Sequence, residues 1–376
     1  FVELWAQDKA GNADFCETYV LVQDNMGACG SNNNASIAGA LKTEEVEGVE
    51  DATVELEGSA NGAPMFSQVF SNLSGNYAFS NALPIGSNYT VTPTSDLDPT
   101  NGVTTYDLVL INRHILGLEP LNSPYKVIAA DANKSNTITT FDIVEIRKLI
   151  LGIYNEFPSN ESWRFIDQTQ VFPDPQNPFT EVLKENISVA QIQSSEVDDD
   201  FVGVKIGDVN GTATPNQLTQ TDDRTTGTLY FDVQDKAVKA GEEITVTFKA
   251  SDKQLGYQFT LNLNGLTTTG IEPGANMSDE NFAVFAEANA ITTSVNGGAG
   301  EFAIRFRATQ AGQLSQMLGI SSRITKAESY SLTNDKQDVA LRFNSADGNT
   351  TVSGLGFELY QNVPNPFVSK TYVGFN

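Results

Sequence analysis

Two stretches of this chain, thirty-five residues apart, carry the same pattern of oxygen-bearing side chains, and each runs straight into a segment with a helical apolar stripe. The first places Asp96, Asp98, Thr100, Thr104 and Asp107 at positions 1, 3, 5, 9 and 12 of a twelve-residue window. The second places Asp131, Asn133, Ser135, Thr139 and Asp142 at the same positions. That spacing lets one tight loop wrap a hard cation such as calcium. Position 6 of such a loop turns sharply; it holds Asn101 and Asn136 here, the non-glycine type that best tolerates positive φ. The plainer reading is a pair of polar helix N-caps, since Asp, Ser and Thr are common there.

The segments that follow repeat as well. Leu108, Ile111 and Ile115 recur at i, i+3 and i+7, as do Ile143, Ile146 and Ile150, which gives each helix one apolar face. Gly117 and Gly152 stand where a glycine would end each helix. With these residues in view, 94–152 resembles a type I dockerin, whose paired loops end in Asp where an EF-hand has Glu. The resemblance implies two calcium sites, with ligands at Asp96, Asp98, Thr100, Thr104 and Asp107, then at Asp131, Asn133, Ser135, Thr139 and Asp142. The carbonyls of Gly102 and Thr137 would add one ligand each. The departure is at position 5, usually Asp or Asn, where Thr100 and Ser135 offer a weaker oxygen. With three carboxylates against two, the first site is expected to bind more tightly. The family's partner-contacting positions fall on Thr105, Tyr106, Asn112 and Arg113, and on Thr140, Phe141, Arg147 and Lys148. Arg113, Arg147 and Lys148 would form a basic patch suited to an acidic partner face.

At 376 residues the chain is expected to hold two to four domains. Its formal charge of -25 would be repelled by a phosphate backbone, so nucleic acid is excluded as a partner, and the acidity suits a secreted protein bathed in divalent cations. No run of eighteen apolar residues calls for a transmembrane helix. The opening at Phe1, without Met or a signal-like stretch, is what a mature, processed or partial chain would show. Under secretion, Cys16 and Cys29, the two cysteines, are expected to pair as a local disulfide, with two free buried thiols the alternative. His114 is the one histidine, which removes Ser-His-Asp triads, Cys-His pairs and His-rich zinc sites; no phosphate-binding glycine motif occurs. The chain is therefore not expected to be an enzyme.

The remainder reads as β modules. Residues 1–29 resemble the last two strands of an Ig-like module, incomplete as they stand and suited to lending strands to a neighbour. Residues 35–93, with Gly75-Asn-Tyr77-Ala-Phe79, Leu83-Pro-Ile-Gly86 and Tyr89-Thr-Val91, resemble a CnaB-like or transthyretin-like β-sandwich. Residues 153–215 are expected to be an irregular extension packing on the dockerin-like unit, ending in Asp208-Val-Asn210-Gly-Thr212, a mimic of a third loop start. A linker follows at 216–226. Residues 227–349 resemble a cohesin-like β-sandwich, the family that receives dockerins. From Leu359-Tyr360-Gln-Asn362-Val-Pro364-Asn-Pro366-Phe367, residues 355–376 resemble the start of the sorting domain of type IX secretion.

The fold class expected is mainly β and multidomain, with one small helical calcium-loop unit. The function expected is a non-enzymatic, calcium-stabilised structural protein, secreted or on the cell surface through the type IX machinery. It would assemble head to tail through its dockerin-like and cohesin-like segments, or bind a separate cohesin-like partner, and form filaments where the rotation does not close. The alternative is the non-catalytic C-terminal spacer, export and anchoring region of a large secreted hydrolase or adhesin.

Overall fold

A computed structural model describes residues 2–7, 9, 13–18, 34–60, 62–216, 225–298 and 300–353. The described residues fall into two compact units. One is drawn from Phe1–Gly102, Leu121–Thr137 and Ser159–Thr221, the other from Val103–Pro120, Ile138–Pro158 and Asp222–Asn376. The sorting-domain motif and Cys29 lie outside the described residues, and so do most of the linker positions.

The first unit begins with an antiparallel hairpin, β1 (Val2–Gln7) and β2 (Ala13–Thr18), in which Leu4 pairs with Cys16. Five strands follow: β3 (Asn34–Lys42), β4 (Thr53–Ala60), β5 (Ala63–Phe70), β6 (Asn76–Pro84) and β7 (Tyr89–Thr94). Three more come from the segment expected to be irregular: β8 (Trp163–Asp167), β9 (Ile187–Val189) and β10 (Phe201–Lys205). They complete two four-stranded sheets, ordered β6-β3-β10-β8 and β5-β4-β7-β9. The expectation for 153–215 is thereby corrected: it supplies strands to the β module. β9 has three residues and β8 is buried at every position, so neither shows the alternation that marks a half-buried strand. Between the sheets lies one core, with Ile37, Leu41, Val54, Leu56, Tyr77, Tyr89, Phe165 and Phe201 nearly inaccessible. Gly39 is obligatory there, because a Cβ would lie 2.0 Å from the Asp199 carbonyl oxygen. This unit also holds α2 (Pro124–Ala130), which starts at an N-cap, Ser123, with proline at its first turn.

The second unit is a larger sandwich carrying two helices, α1 (Thr105–Ile115) and α3 (Thr140–Ile150). Each starts in a capping box, Thr104 with Asp107 and Thr139 with Asp142. Each ends before a left-handed glycine, Gly117 (φ +67°) and Gly152 (φ +74°). The strands are β11 (Thr228–Gln234), β12 (Ala237–Val238), β13 (Glu243–Ala250), β14 (Gln254–Leu263), β15 (Leu266–Glu272), β16 (Phe282–Phe285), β17 (Ala290–Asn296), β18 (Glu301–Ala308), β19 (Gly312–Gln313), β20 (Leu318–Ser321), β21 (Glu328–Ser331), β22 (Lys336–Asn344) and β23 (Thr350–Ser353). One layer runs β15-β18-β13-β11-β22 and the other β21-β14-β17-β16, with β20 also on β14. β22 joins the layers: its first residues pair with β21 and the rest run parallel to β11. Strict alternation along β13 and β18 turns Val246, Phe248, Ile304 and Phe306 inward. Phe231, Phe259 and Phe302 meet them, with Phe231 5.3 Å from Phe259 by ring centroid.

Among the described residues no helix is long and apolar enough to cross a membrane.

Candidate functional site

β14 and β17 pair in register so that Gly256 faces Asn296, Gln258 faces Ser294 and Thr260 faces Thr292. Successive residues of a strand point to opposite faces, so these three rungs share one face while Tyr257, Phe259 and Leu261 fill the core from the other. Polar residues at such positions ordinarily meet water. Here Gln258, Thr260, Thr292 and Ser294 are all buried, because α1 packs on α3 and lies across β14 and β17.

The contact is made through helix ends. The amide of Thr105, one of the orphan donors of the first turn of α1, donates to Gln258 Oε1 at 2.6 Å. The Thr105 hydroxyl meets Ser294 Oγ at 2.7 Å. At the other terminus, the last carbonyls of α3 accept from sandwich hydroxyls: Ile150 from Thr325 and Leu151 from Thr292, both at 2.7 Å. Arg147 Nη2 donates to Asn296 Oδ1 at 2.5 Å, and burial holds its guanidinium below the usual range. Tyr106 stacks on Tyr330 with centroids 4.8 Å apart. Burial first, and then the neighbouring Glu328 carboxylate, pushes the Tyr330 phenol well above its ordinary range. A Cβ on Gly256 would stand 3.0 Å from Thr105 Cγ2, so the missing side chain lets α1 come close.

Of the partner-contacting positions carried over from the sequence, Thr105, Tyr106 and Arg147 lie in this seat. Asn112 and Arg113 are half-buried, and Arg113 is ion-paired with Glu119 at 3.0 Å. Thr140 is exposed, as is Phe141 at 73%. Lys148 holds Glu145 at 3.5 Å and the Tyr154 hydroxyl at 3.1 Å. The expected basic patch is broken, because Arg147 is buried against Asn296. Gln258, Ser294, Thr292 and Thr325 were not foreseen; the one signal in the sequence was a strand, Ile291-Thr-Thr-Ser-Val295, whose outward positions are small hydroxyls rather than charges.

The two cation loops differ. In the second, Asp131 is fully buried, its Oδ1 accepting the amide of Ser135 and its Oδ2 that of Asn136, both at 2.8 Å. Ser135 Oγ lies 3.4 Å from Asp131 Oδ1 and 3.2 Å from the Thr137 carbonyl oxygen, so the oxygens of positions 1, 5 and 7 converge. Asn133 Oδ1 accepts from the Ser135 amide, and Asn136 takes the left-handed turn at φ +62°. These residues fit a hard cation. In the first loop Asp96 is exposed and accepts from the Ser162 amide at 2.8 Å. Thr100 is exposed, and the left-handed residues are Asp98 (φ +44°) and Gly102 (φ +74°) rather than Asn101. The Gly102 carbonyl accepts from Thr212 Oγ1 at 3.1 Å. This half-loop does not fit a wrapped cation. In the helical unit, Asp107 and Asp142 are fully buried, and each accepts from the amide of its N-cap threonine, Thr104 or Thr139, at 2.8 Å. Among the described residues no group of three or more His, Cys, Asp or Glu side chains could hold a metal ion.

No family model matches this chain, and no curated protein matches it. Solved structures do. A cohesin–dockerin complex of Clostridium thermocellum, Coh-OlpC-Doc435, aligns at 10% identity over 34% of this chain and 99% of that one, with a TM-score of 0.25. The sixth cohesin of scaffoldin B from Acetivibrio cellulolyticus, in complex with a variant Cel5 dockerin, aligns at 12% identity over 35% of this chain and 100% of that one, with a TM-score of 0.25. A non-cellulosomal cohesin from the archaeon Archaeoglobus fulgidus aligns at 20% identity over 35% of this chain and 91% of that one, with a TM-score of 0.21. Each resemblance is to a module about a third as long as this chain, and at such TM-scores nothing about binding or activity follows from it.

Proposed function

We propose that this chain is a non-catalytic structural protein, exported to the cell exterior, in which a dockerin-like helix pair is seated on the chain's own cohesin-like sandwich. The observation that carries the reading is the set of three rungs on β14 and β17, whose polar groups receive both the first turn of α1 and the last turn of α3. Hydroxyls and an amide oxygen are built to satisfy helix-end groups that would otherwise need water. A seat filled within the chain competes with head-to-tail exchange, so the protein would act as a locked spacer rather than as a link passed from copy to copy. Calcium belongs to this reading at the second loop. Asp131, Asn133, Ser135 and the Thr137 carbonyl would hold it, with Thr139 and Asp142 following in sequence, and it would neutralise the carboxylates and order the loop ahead of α3. Export through type IX secretion rests on the sequence at 359–367.

Sedimentation velocity of the full chain in saturating calcium, with and without Gly256→Trp, tests the seat. The wild type should remain monomeric as concentration rises, and the tryptophan, which collides with Thr105, should expose α1 to hydrogen exchange without dissociating anything. Wild-type oligomers that Gly256→Trp breaks apart would mean that the seat is filled by another copy.

A further inference from the structure

The difference between the loops has a structural cause. Lys205 is 5% exposed at the end of β10, and its ammonium reaches into the first loop. Nζ donates to the Pro99 carbonyl oxygen at 2.8 Å and to Ser162 Oγ at 2.9 Å, and lies 6.0 Å from the centre of the Trp163 ring. Burial pushes the carboxyls of Asp98 and Asp208 up; the Lys205 charge draws Asp98 back toward the ionised form, and at Asp208 it adds to the larger pull of the Ala213, Thr212 and Gly211 amides. Ser162, which Lys205 holds, is also the residue whose amide donates to Asp96 Oδ1.

The Asp208 turn completes the substitution. Asp208 accepts the amide of Thr212 at 3.2 Å through Oδ1 and that of Ala213 at 2.7 Å through Oδ2. These amides lie four and five residues on, the spacing by which Asp131 holds its own loop. This second half-loop is docked on the first: Thr212 donates to the Gly102 carbonyl, and Asn101 and Thr214 exchange two hydrogen bonds at 2.8 and 2.9 Å. Positions 1 and 7 of the first loop are therefore held by donors from outside the loop, Ser162 and Thr212, whereas those of the second are held by its own Ser135 and Asn136, and the first already has a cation in place.

We propose that the Lys205 ammonium is the resident cation of the first loop, so that this chain takes up one calcium ion, at the second loop, and carries the other cation on its own side chain. An ammonium on a tether gives three donors and one positive charge, enough to hold Pro99 and Ser162 and offset one carboxylate; a calcium ion entering beside it would be repelled and would have to break bonds to the distant Ser162 and Thr212. The proposal rests on the calcium reading of the second loop only for its count of one.

Calorimetric titration of the full chain with calcium tests it. The wild type should show one site; Asp131→Ala should abolish it; Asp98→Ala should leave the affinity within about two-fold, as expected for independent sites. Two sites in the wild type, one of them lost in Asp98→Ala, would overturn the proposal. If no calcium binds at all, the reading of the second loop fails, and the role of Lys205 is decided by melting in chelator. There Lys205→Met should lower the Tm by several degrees or fail to fold, and Lys205→Arg should recover part of the loss. A Lys205→Met protein that melts like the wild type would overturn it.

Discussion

Replacing Gln258 by Met isolates the polar part of the seat. The substitution keeps length and volume, and Gln258 is on the outer face of β14, so the aromatic core on the other face is untouched. What is lost is the acceptor of the Thr105 amide, at 2.6 Å, beside a residue that is fully buried. A buried donor left without an acceptor costs about 1–3 kcal/mol. For a unit of roughly 150–250 residues that corresponds to about 2–4 °C in Tm per kcal/mol. The more specific reading is local. Because α1 is fastened to the sandwich at its first turn, the cost should appear as easier opening of α1, speeding exchange of its amides by about 5- to 150-fold while β13 and β18 keep their protection. Hydrogen exchange read by mass spectrometry on peptides from 103–116 and 243–250 measures both at once. Ser294→Ala, which removes the partner of the Thr105 hydroxyl, should act in the same direction and less strongly. If α1 exchanges at the wild-type rate in Gln258→Met, or if every strand of the sandwich speeds up equally, the rungs do not fasten the helix and the reasoning fails.

Other consequences are checked as directly. Thr104→Ala and Thr139→Ala remove the N-caps of α1 and α3 and should each cost about 0.5–2 kcal/mol, measured by denaturant unfolding. A chelator should lower the Tm of the wild type and leave that of Asp131→Ala unchanged, since the calcium is assigned to that loop. Asp199 has its carboxyl pushed up to about 6, first by burial and then by Glu196, Asp200, Asp167 and Asp198. The folded form thus holds that proton more tightly than the unfolded chain, so its contribution to stability is present below about pH 4 and lost as the pH rises through about 6. Asp199→Asn should flatten that part of the Tm–pH profile. Gly39→Ala drives a methyl into the Asp199 carbonyl and should destabilise the first unit by at least the roughly 1–3 kcal/mol typical of overpacking, read from its melting transition.

What could be read from the sequence was local. The stripes of Leu108 and Ile111 and of Ile143 and Ile146, the threonine caps and the closing glycines locate α1 and α3, because helix formation depends on neighbours three and four residues away. Alternation along 243–250 and 301–308 locates β13 and β18 for the same reason at period two. The duplicated oxygen pattern shows two like loops, and the one difference used to rank them, three carboxylates against two, favoured the first, the loop whose residues do not fit a wrapped cation. Tertiary structure decided that. Lys205, Ser162 and Thr212 reach the first loop from sixty to one hundred and ten residues away, and nothing in their spacing announces it. The same holds for the seat, where Gln258 and Ser294 look like ordinary outward strand positions until a helix covers them. β8 to β10 are hidden differently, two-sided burial or shortness having erased their period. A side chain's local conformation is set by the residues beside it, but its partner is set by which distant surface the chain brings back, and that is a property of the packed fold.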